Sequence, residues 1–322
     1  MGRTAFLFPG QGSQAPGMGA DLARDWPVCR DVFAEADEAL GFRISTLCFE
    51  GPASELVLTA NTQPAILTVS VAIDRLLASL GARPAFAAGH SLGEYSALVS
   101  AGVLSLADAL RAVRLRGSAM QEAVPAGQGA MAAVLGLDPA SVEEICRAAA
   151  EGEVVSPANF NSPEQTVISG HAGAVARASK LAQERGASKV VSLSVSAPFH
   201  CSLMRPAEQR LAEHLASVTF HDPSFPVVVN ADATPVTTGE AARDALIRQV
   251  CSPVRWVESV QALRSLGGRL FVEVGPGKVL TGLMRRIDRA LPARGVEDAP
   301  SLEAALPTLL VANSGAALEE RL

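Results

Sequence analysis

The chain has 322 residues, 48% of them apolar and only 4% aromatic, with 27 Lys and Arg against 33 Asp and Glu for a net charge of −6. That length exceeds most single cores and points to one large domain with a smaller one embedded or appended. The Ala-, Leu- and Val-rich composition suits an α/β protein, and the acidic balance without any Lys/Arg run argues against a nucleic-acid partner.

The opening residues enter a strand at once, with no basic segment or cleavage site, and no apolar run is long enough to cross a bilayer. A cytoplasmic protein without membrane contact is expected. Its five cysteines, Cys29, Cys48, Cys146, Cys201 and Cys251, are scattered, with no C-x-x-C and no His cluster at metal spacing. They read as buried, reduced thiols, with no metal site.

In chain order, a strand over 4–8 empties into a loop holding Gly10, Gly12, Gly17 and Gly19. Gly10 to Ala15 fits the letters of a dinucleotide-binding turn, G-x-G-x-x-G/A. The context does not fit, because Pro16 interrupts and the next periodic segment is a helix rather than a strand. Helices are expected over 28–40 and 64–80, then a short strand over 84–88. Next come a helix over 94–101 closed by Gly102, and one from the capping-box-like pair Ser105 and Asp108 to about Val124.

From Pro125 the rhythm changes to strand 130–135, helix 139–150, strand 154–158, strand 166–169, helix 172–185 and strand 190–195. This β-α-β-β-α-β order is the ferredoxin-like split unit. Helix 204–216, strand 227–230, helices 241–250 and 254–266, strand 270–274 and helix 279–289 follow. Strands alternating with helices imply a mostly parallel sheet. The expected organisation is a large α/β-hydrolase-like domain (1–125 and 198–297), an inserted ferredoxin-like α+β subdomain (126–197) and a tail (298–322). The tail is expected to be poorly ordered or one short helix, given Pro300 and Pro307.

Gly89-His90-Ser91-Leu92-Gly93 matches G-x-S-x-G between an apolar strand and a helix, the setting of a nucleophile elbow. A serine hydroxyl is a weak nucleophile and needs a tight, exposed turn beside a base. Flanking glycines permit the turn, and the following helix aims free N–H groups at an oxyanion. Of five histidines, His90 adjoins the serine and points elsewhere, while His171, His214 and His221 sit in solvent-facing or structural settings. His200, where the small domain hands back to the large one, is the candidate base, since interdomain crevices host sites. On the helix after Ser105, Arg116 falls about 20° from Ala109, at the edge of the apolar stripe. An arginine turned inward suits a carboxylate, although an internal salt bridge or a snorkelling side chain fits the spacing too.

Together these residues resemble the malonyl-CoA:acyl carrier protein transacylase family of fatty-acid and polyketide synthesis. The matching stretches are PGQGSQ (9–14), TQPAI (62–66), GHSLGEYSAL (89–98), R-x-R-G-x-x-M (114–120), ANFNSPEQ-V-ISG (158–170), APFH-SLM (197–204), QV-SPVRW (249–256) and EVGPGKVLTGL (273–283). The resemblance implies Ser91 as acylated nucleophile, His200 as base, and backbone N–H groups of Gln11 and Leu92 as oxyanion donors. Arg116 would bind the malonyl carboxylate, the Gln249 carbonyl would orient His200, and Asn159 and Asn161 would line the crevice. Phe199 resembles the malonyl-selective pattern. The partners implied are malonyl-CoA and the phosphopantetheine thiol of holo acyl carrier protein, with no cofactor and a monomeric chain. The alternatives kept open are a serine thioesterase or acyl hydrolase and a free-standing polyketide-synthase acyltransferase.

Overall fold

In the computed structural model, which describes residues 3–319, β1 (Arg3–Phe8) buries five residues in succession. Such a run is expected where both faces of a parallel sheet are covered. There follow α1 (Ala20–Asp25), α2 (Pro27–Leu40), α3 (Ile44–Glu50), α4 (Ala53–Leu56), α5 (Thr59–Ser79), β2 (Phe86–Gly89), α6 (Gly93–Ser100) and α7 (Leu106–Glu122). Next come β3 (Gly129–Leu135), α8 (Pro139–Ala149), β4 (Val155–Ser162), β5 (Gln165–His171), α9 (Ala172–Glu184) and β6 (Lys189–Ser192). The chain closes with α10 (Arg205–Leu215), β7 (Val227–Val228), β8 (Pro235–Val236), α11 (Gly239–Gln249), α12 (Trp256–Ser265), β9 (Gly268–Val274), α13 (Val279–Ile287), β10 (Ala293–Val296) and α14 (Ala299–Glu319).

Two sheets result. The larger runs β10-β9-β1-β2-β7-β8, parallel except for β8 at its edge. The smaller runs β4-β5-β3-β6, antiparallel throughout. Its strands bury Ala132, Val134 and Ile168 against the apolar stripes of α8 and α9, the packing of the split β-α-β-β-α-β unit. Main-chain bonds fasten the smaller sheet to the segment between α11 and α12: Phe160 N–H donates to the Val254 carbonyl (2.9 Å) and Val254 N–H to that of Ala158 (2.8 Å).

The long central helix α5 begins at Thr59, ahead of the expected start at Pro64, and carries that proline inside it. Pro64 has no N–H for the carbonyl four residues back, and Arg114 Nη1 donates to that Ala60 oxygen instead, at 2.7 Å. The missing bond is thereby replaced. Gly117 of α7 lets the two helices touch, since a Cβ there would lie 2.7 Å from the Thr59 oxygen.

The C-terminal expectation is corrected over the described residues. Residues 299–319 form one long helix rather than a short or disordered end. Asp298 Oδ1 accepts from Ser301 N–H (2.9 Å) and caps it, and Pro300 stands in the first turn, where its absent N–H has no intrahelical partner. Leu302, Ala305 and Leu309 are buried in the main core. The described cysteines carry free thiols, and all but half-buried Cys251 are buried. No helix among the described residues is long and apolar enough to cross a membrane. Because α14 packs into the core, Leu302→Ala lowers stability by about 2–5 kcal/mol, read as a shifted urea midpoint; an unchanged midpoint would make the helix dispensable.

Candidate active site

The turn between β2 and α6 leaves three residues to reverse the chain, and Ser91 occupies it at φ 51°, left-handed backbone that side chains other than glycine rarely adopt. A Cβ on Gly89 would meet Gly93 at 1.9 Å, and one on Gly93 would meet the Phe8 carbonyl oxygen at 2.1 Å. The glycines of the motif are therefore needed for close approach. Ser91 stands at the carboxyl end of β2, second to the centre of a parallel sheet, where such sites collect.

His200, also left-handed at φ 59°, brings its ring to this turn. Its Nδ1–H donates to the backbone oxygens of Gln249 (3.0 Å) and Ser252 (3.1 Å), which leaves the Nε2 lone pair for the Ser91 hydroxyl, 2.7 Å away. Two carbonyls thus do the orienting that a carboxylate does in a Ser-His-Asp triad. Burial, aided by the positive Arg116, pulls the His200 pKa down to about 3. The ring is neutral, the state a general base requires.

Arg116 is 2% exposed, at the stripe edge where helical spacing put it. Its Nη1 donates to Gln63 Oε1 (2.9 Å), and its Nη2 donates to Gln249 Oε1 (2.9 Å) and Ser91 Oγ (3.1 Å). Its Nε has no partner, and no carboxylate pairs with it among the described residues. A buried cation held only by neutral acceptors is costly and makes a receptor for an anion. The nearby Glu94 carboxyl is fully buried, and that burial pushes its pKa up to about 7.

Gln11 N–H and Leu92 N–H carry no hydrogen bond among the described residues, and both residues line a cavity of about 120 Å³ that also contains Ser91, His200 and Arg116. The two are free to serve an oxyanion. Gly10 lets the first loop come this close: a Cβ on it would lie 2.5 Å from the His90 oxygen. Met120, Met131, Leu193, Val195 and Phe199 give the cavity apolar walls. Gln11 Nε2 donates to Thr59 Oγ1 (3.3 Å), which in turn bonds Ser196 Oγ (2.9 Å), linking the loop after β1 and the start of α5 to the segment after β6.

Asn159 and Phe199 line this cavity. Asn161 does not; its Oδ1 accepts from His90 Nε2–H at 2.8 Å, while the His90 ring packs on Trp256 at 5.4 Å. Gln249 also stands behind the cavity wall, fully buried, and its Nε2 donates to the Ser91 oxygen (3.0 Å). Its carbonyl is at His200 as expected, and its side chain adds contacts with the serine and arginine that the sequence reading lacked. Gln63 and Asn230 were also missed, the first hidden inside TQPAI. Asn230 had one readable signal, its place at the end of a predicted strand. Among the described residues no group of His, Cys, Asp and Glu is arranged to hold a metal ion.

The folded His200 refuses a proton that the unfolded chain takes up near pH 6.5, so its contribution to stability falls as pH drops from about 6.5 toward 3. NMR of the ring nitrogens will follow this directly. The His200 signals stay those of a neutral ring down to pH 5, and an inflection near 6.5 would contradict the buried, arginine-facing environment.

Residues 5–309 match the family described as the acyl transferase domain. The malonyl CoA-acyl carrier protein transacylase of Escherichia coli K12 is 53% identical over 307 residues, 95% of this chain and 99% of that protein. The Bacillus subtilis protein of that name is 48% identical over 98% of this chain and all of its own. Among solved structures, an acyl carrier protein S-malonyltransferase from Vibrio cholerae superposes with a TM-score of 0.92 at 51% identity, over 94% of this chain and 99% of that one. A malonyl-transacylase solved in complex with a holo type II PKS acyl-carrier protein does so with a TM-score of 0.93 at 49% identity, over 95% and 99%. With near-complete coverage in both directions, the chain belongs to the acyl transferase domain family.

Proposed function

We propose that this protein transfers a malonyl group from malonyl-CoA to the phosphopantetheine thiol of an acyl carrier protein, through an ester on Ser91. The observation that carries the reading is the guanidinium of Arg116, without a carboxylate partner among the described residues and 3.1 Å from Ser91 Oγ inside a small cavity. A receptor for a carboxylate beside a serine–histidine pair fits a diacid thioester. The names of the near-full-length relatives agree with it.

In the first half-reaction Ser91 Oγ attacks the thioester carbonyl and its proton passes to His200 Nε2. The tetrahedral oxyanion is held by the N–H groups of Gln11 and Leu92, each such donor being worth about 10²–10³ in rate. The C–S bond breaks, the proton on His200 goes to the coenzyme A sulfur, and malonyl-serine remains. The second half-reaction runs in reverse with the carrier thiol. His200 takes the thiol proton, sulfur attacks the ester, the C–O bond breaks and the proton returns to Oγ. Throughout, the malonyl carboxylate takes over Arg116 from its neutral acceptors. A charge-assisted, bidentate pair both selects a diacid and fixes the ester away from water. The scheme asks for no metal or organic cofactor and works in a monomeric, cytoplasmic chain. Its place is the supply of malonyl units to fatty-acid assembly, with a polyketide carrier as the alternative acceptor.

Purified protein with labelled malonyl-CoA gives a malonyl-Ser91 peptide by mass spectrometry, and holo acyl carrier protein discharges it. Rapid release of free malonate regardless of the carrier would instead make the protein a hydrolase. Ser91→Ala abolishes the adduct. Arg116→Ala lowers kcat/KM for malonyl-CoA by about 10²–10³-fold and that for acetyl-CoA far less; equal losses would remove Arg116 from carboxylate binding.

A further inference from the structure

The left-handed conformation of Ser91 is braced from outside its own turn. We infer that Asn230 is a positioning residue for the nucleophile and that Glu94 anchors it in place; the inference rests on the reading of Ser91 as nucleophile. Asn230 is fully buried and lies just beyond β7, the strand that pairs with β2. Its Oδ1 accepts from Ser91 N–H (2.7 Å) and its Nδ2 donates to the Gly89 oxygen (2.6 Å). One amide therefore spans the entry to the elbow. Asn230 is itself gripped from both sides: its N–H donates to Glu94 Oε2 (2.6 Å), and its carbonyl accepts from Arg255 N–H (3.1 Å). Glu94 stands in the first turn of α6, so the loop closed by Ser91, Asn230 and Glu94 ties both ends of the turn to the neighbouring strand.

Two effects on the reaction follow. The Ser91 N–H is spoken for, which leaves the Gln11 and Leu92 N–H groups as the oxyanion donors. The turn also cannot relax toward ordinary helical backbone, which would swing Oγ away from His200 Nε2. Among the described residues the Asn230 side chain hydrogen-bonds neither Arg116 nor His200, so its loss acts on attack by the serine rather than on substrate capture.

The test compares full-length wild type with Asn230→Ala, Glu94→Ala and Glu94→Gln. Ser91 modification is followed by rapid quench with malonyl-CoA and, separately, with an alkyl fluorophosphonate, from which Oγ displaces fluoride. Asn230→Ala lowers the modification rate constant about 10²-fold with both reagents. Its burst amplitude stays full and its KM for malonyl-CoA remains within about threefold of wild type. A rate constant within about threefold of wild type overturns the inference. So does a reduced amplitude whose surviving sites react at the wild-type rate, because that is loss of folded protein alone. If Asn230→Ala does not fold, the Glu94 pair decides. Glu94→Ala loses about tenfold and Glu94→Gln, which keeps an acceptor for the Asn230 N–H, stays within about threefold; equal effects in both overturn it. A wild type that reacts with the fluorophosphonate but not with malonyl-CoA would sink the transfer reading and leave the brace to be judged on the fluorophosphonate rates.

Discussion

A Cβ on Gly93 would sit 2.1 Å from the Phe8 oxygen, and one on Gly10 would sit 2.5 Å from the His90 oxygen. Three backbone segments, the end of β1, the turn after β2 and the start of α6, thus meet with no side chain between them. The rest of the site is hung on that contact. It sets the distance between the free Gln11 and Leu92 N–H groups, one on each loop, proposed above as oxyanion donors, and it forces the turn that lifts Ser91 out of regular structure. Rigid main chain is a better platform for such donors than mobile side chains, because nothing has to reorganise when charge develops.

Around this platform the charges are few and dry. Arg116 is positive and buried, His200 is held neutral beside it, and the groups linking them are the Ser91 hydroxyl and the Gln249 amide. Gln249 carries much of the connection. Its carbonyl turns the His200 ring, its Nε2 donates to the Ser91 main chain, and its Oε1 occupies the arginine. An amide can make all three contacts without adding a charge, whereas a carboxylate at that position would neutralise Arg116 and remove the reason for an anion to bind.

How far this was readable from the sequence depends on the kind of signal. Ser91 was visible because the glycines and the strand–helix switch are local, and Arg116 because helical periodicity survives in the letters. The split β-α-β-β-α-β unit was visible through its alternating elements. Asn230 and Gln63 were not, since their partners lie 139 and 53 residues away and a lone amide after a strand looks like a turn former. Short helices such as α1 and α4 span too few residues to show a period. The early start of α5 was hidden by Pro64, whose lost hydrogen bond is replaced by an arginine from another helix. The length of α14 was hidden by two prolines, the first of them at a position where proline is harmless.

The state of the cysteines bears on a chemistry in which a thioester is the donor and a thiol the acceptor. Burial, with nearby carboxylates adding to it, pushes Cys29, Cys146 and Cys251 up to about 12, and it raises Cys48 and Cys201 as well. Since the thiolate is the nucleophile, at neutral pH only about one such thiol in 10⁵ is reactive at any moment. In a protein that handles activated thioesters, its own sulfurs are thereby poor competitors for the acyl group. On the proposed route the malonyl group passes from the coenzyme A sulfur to one serine and on to the carrier thiol, and the chain's protonated sulfurs compete poorly for it.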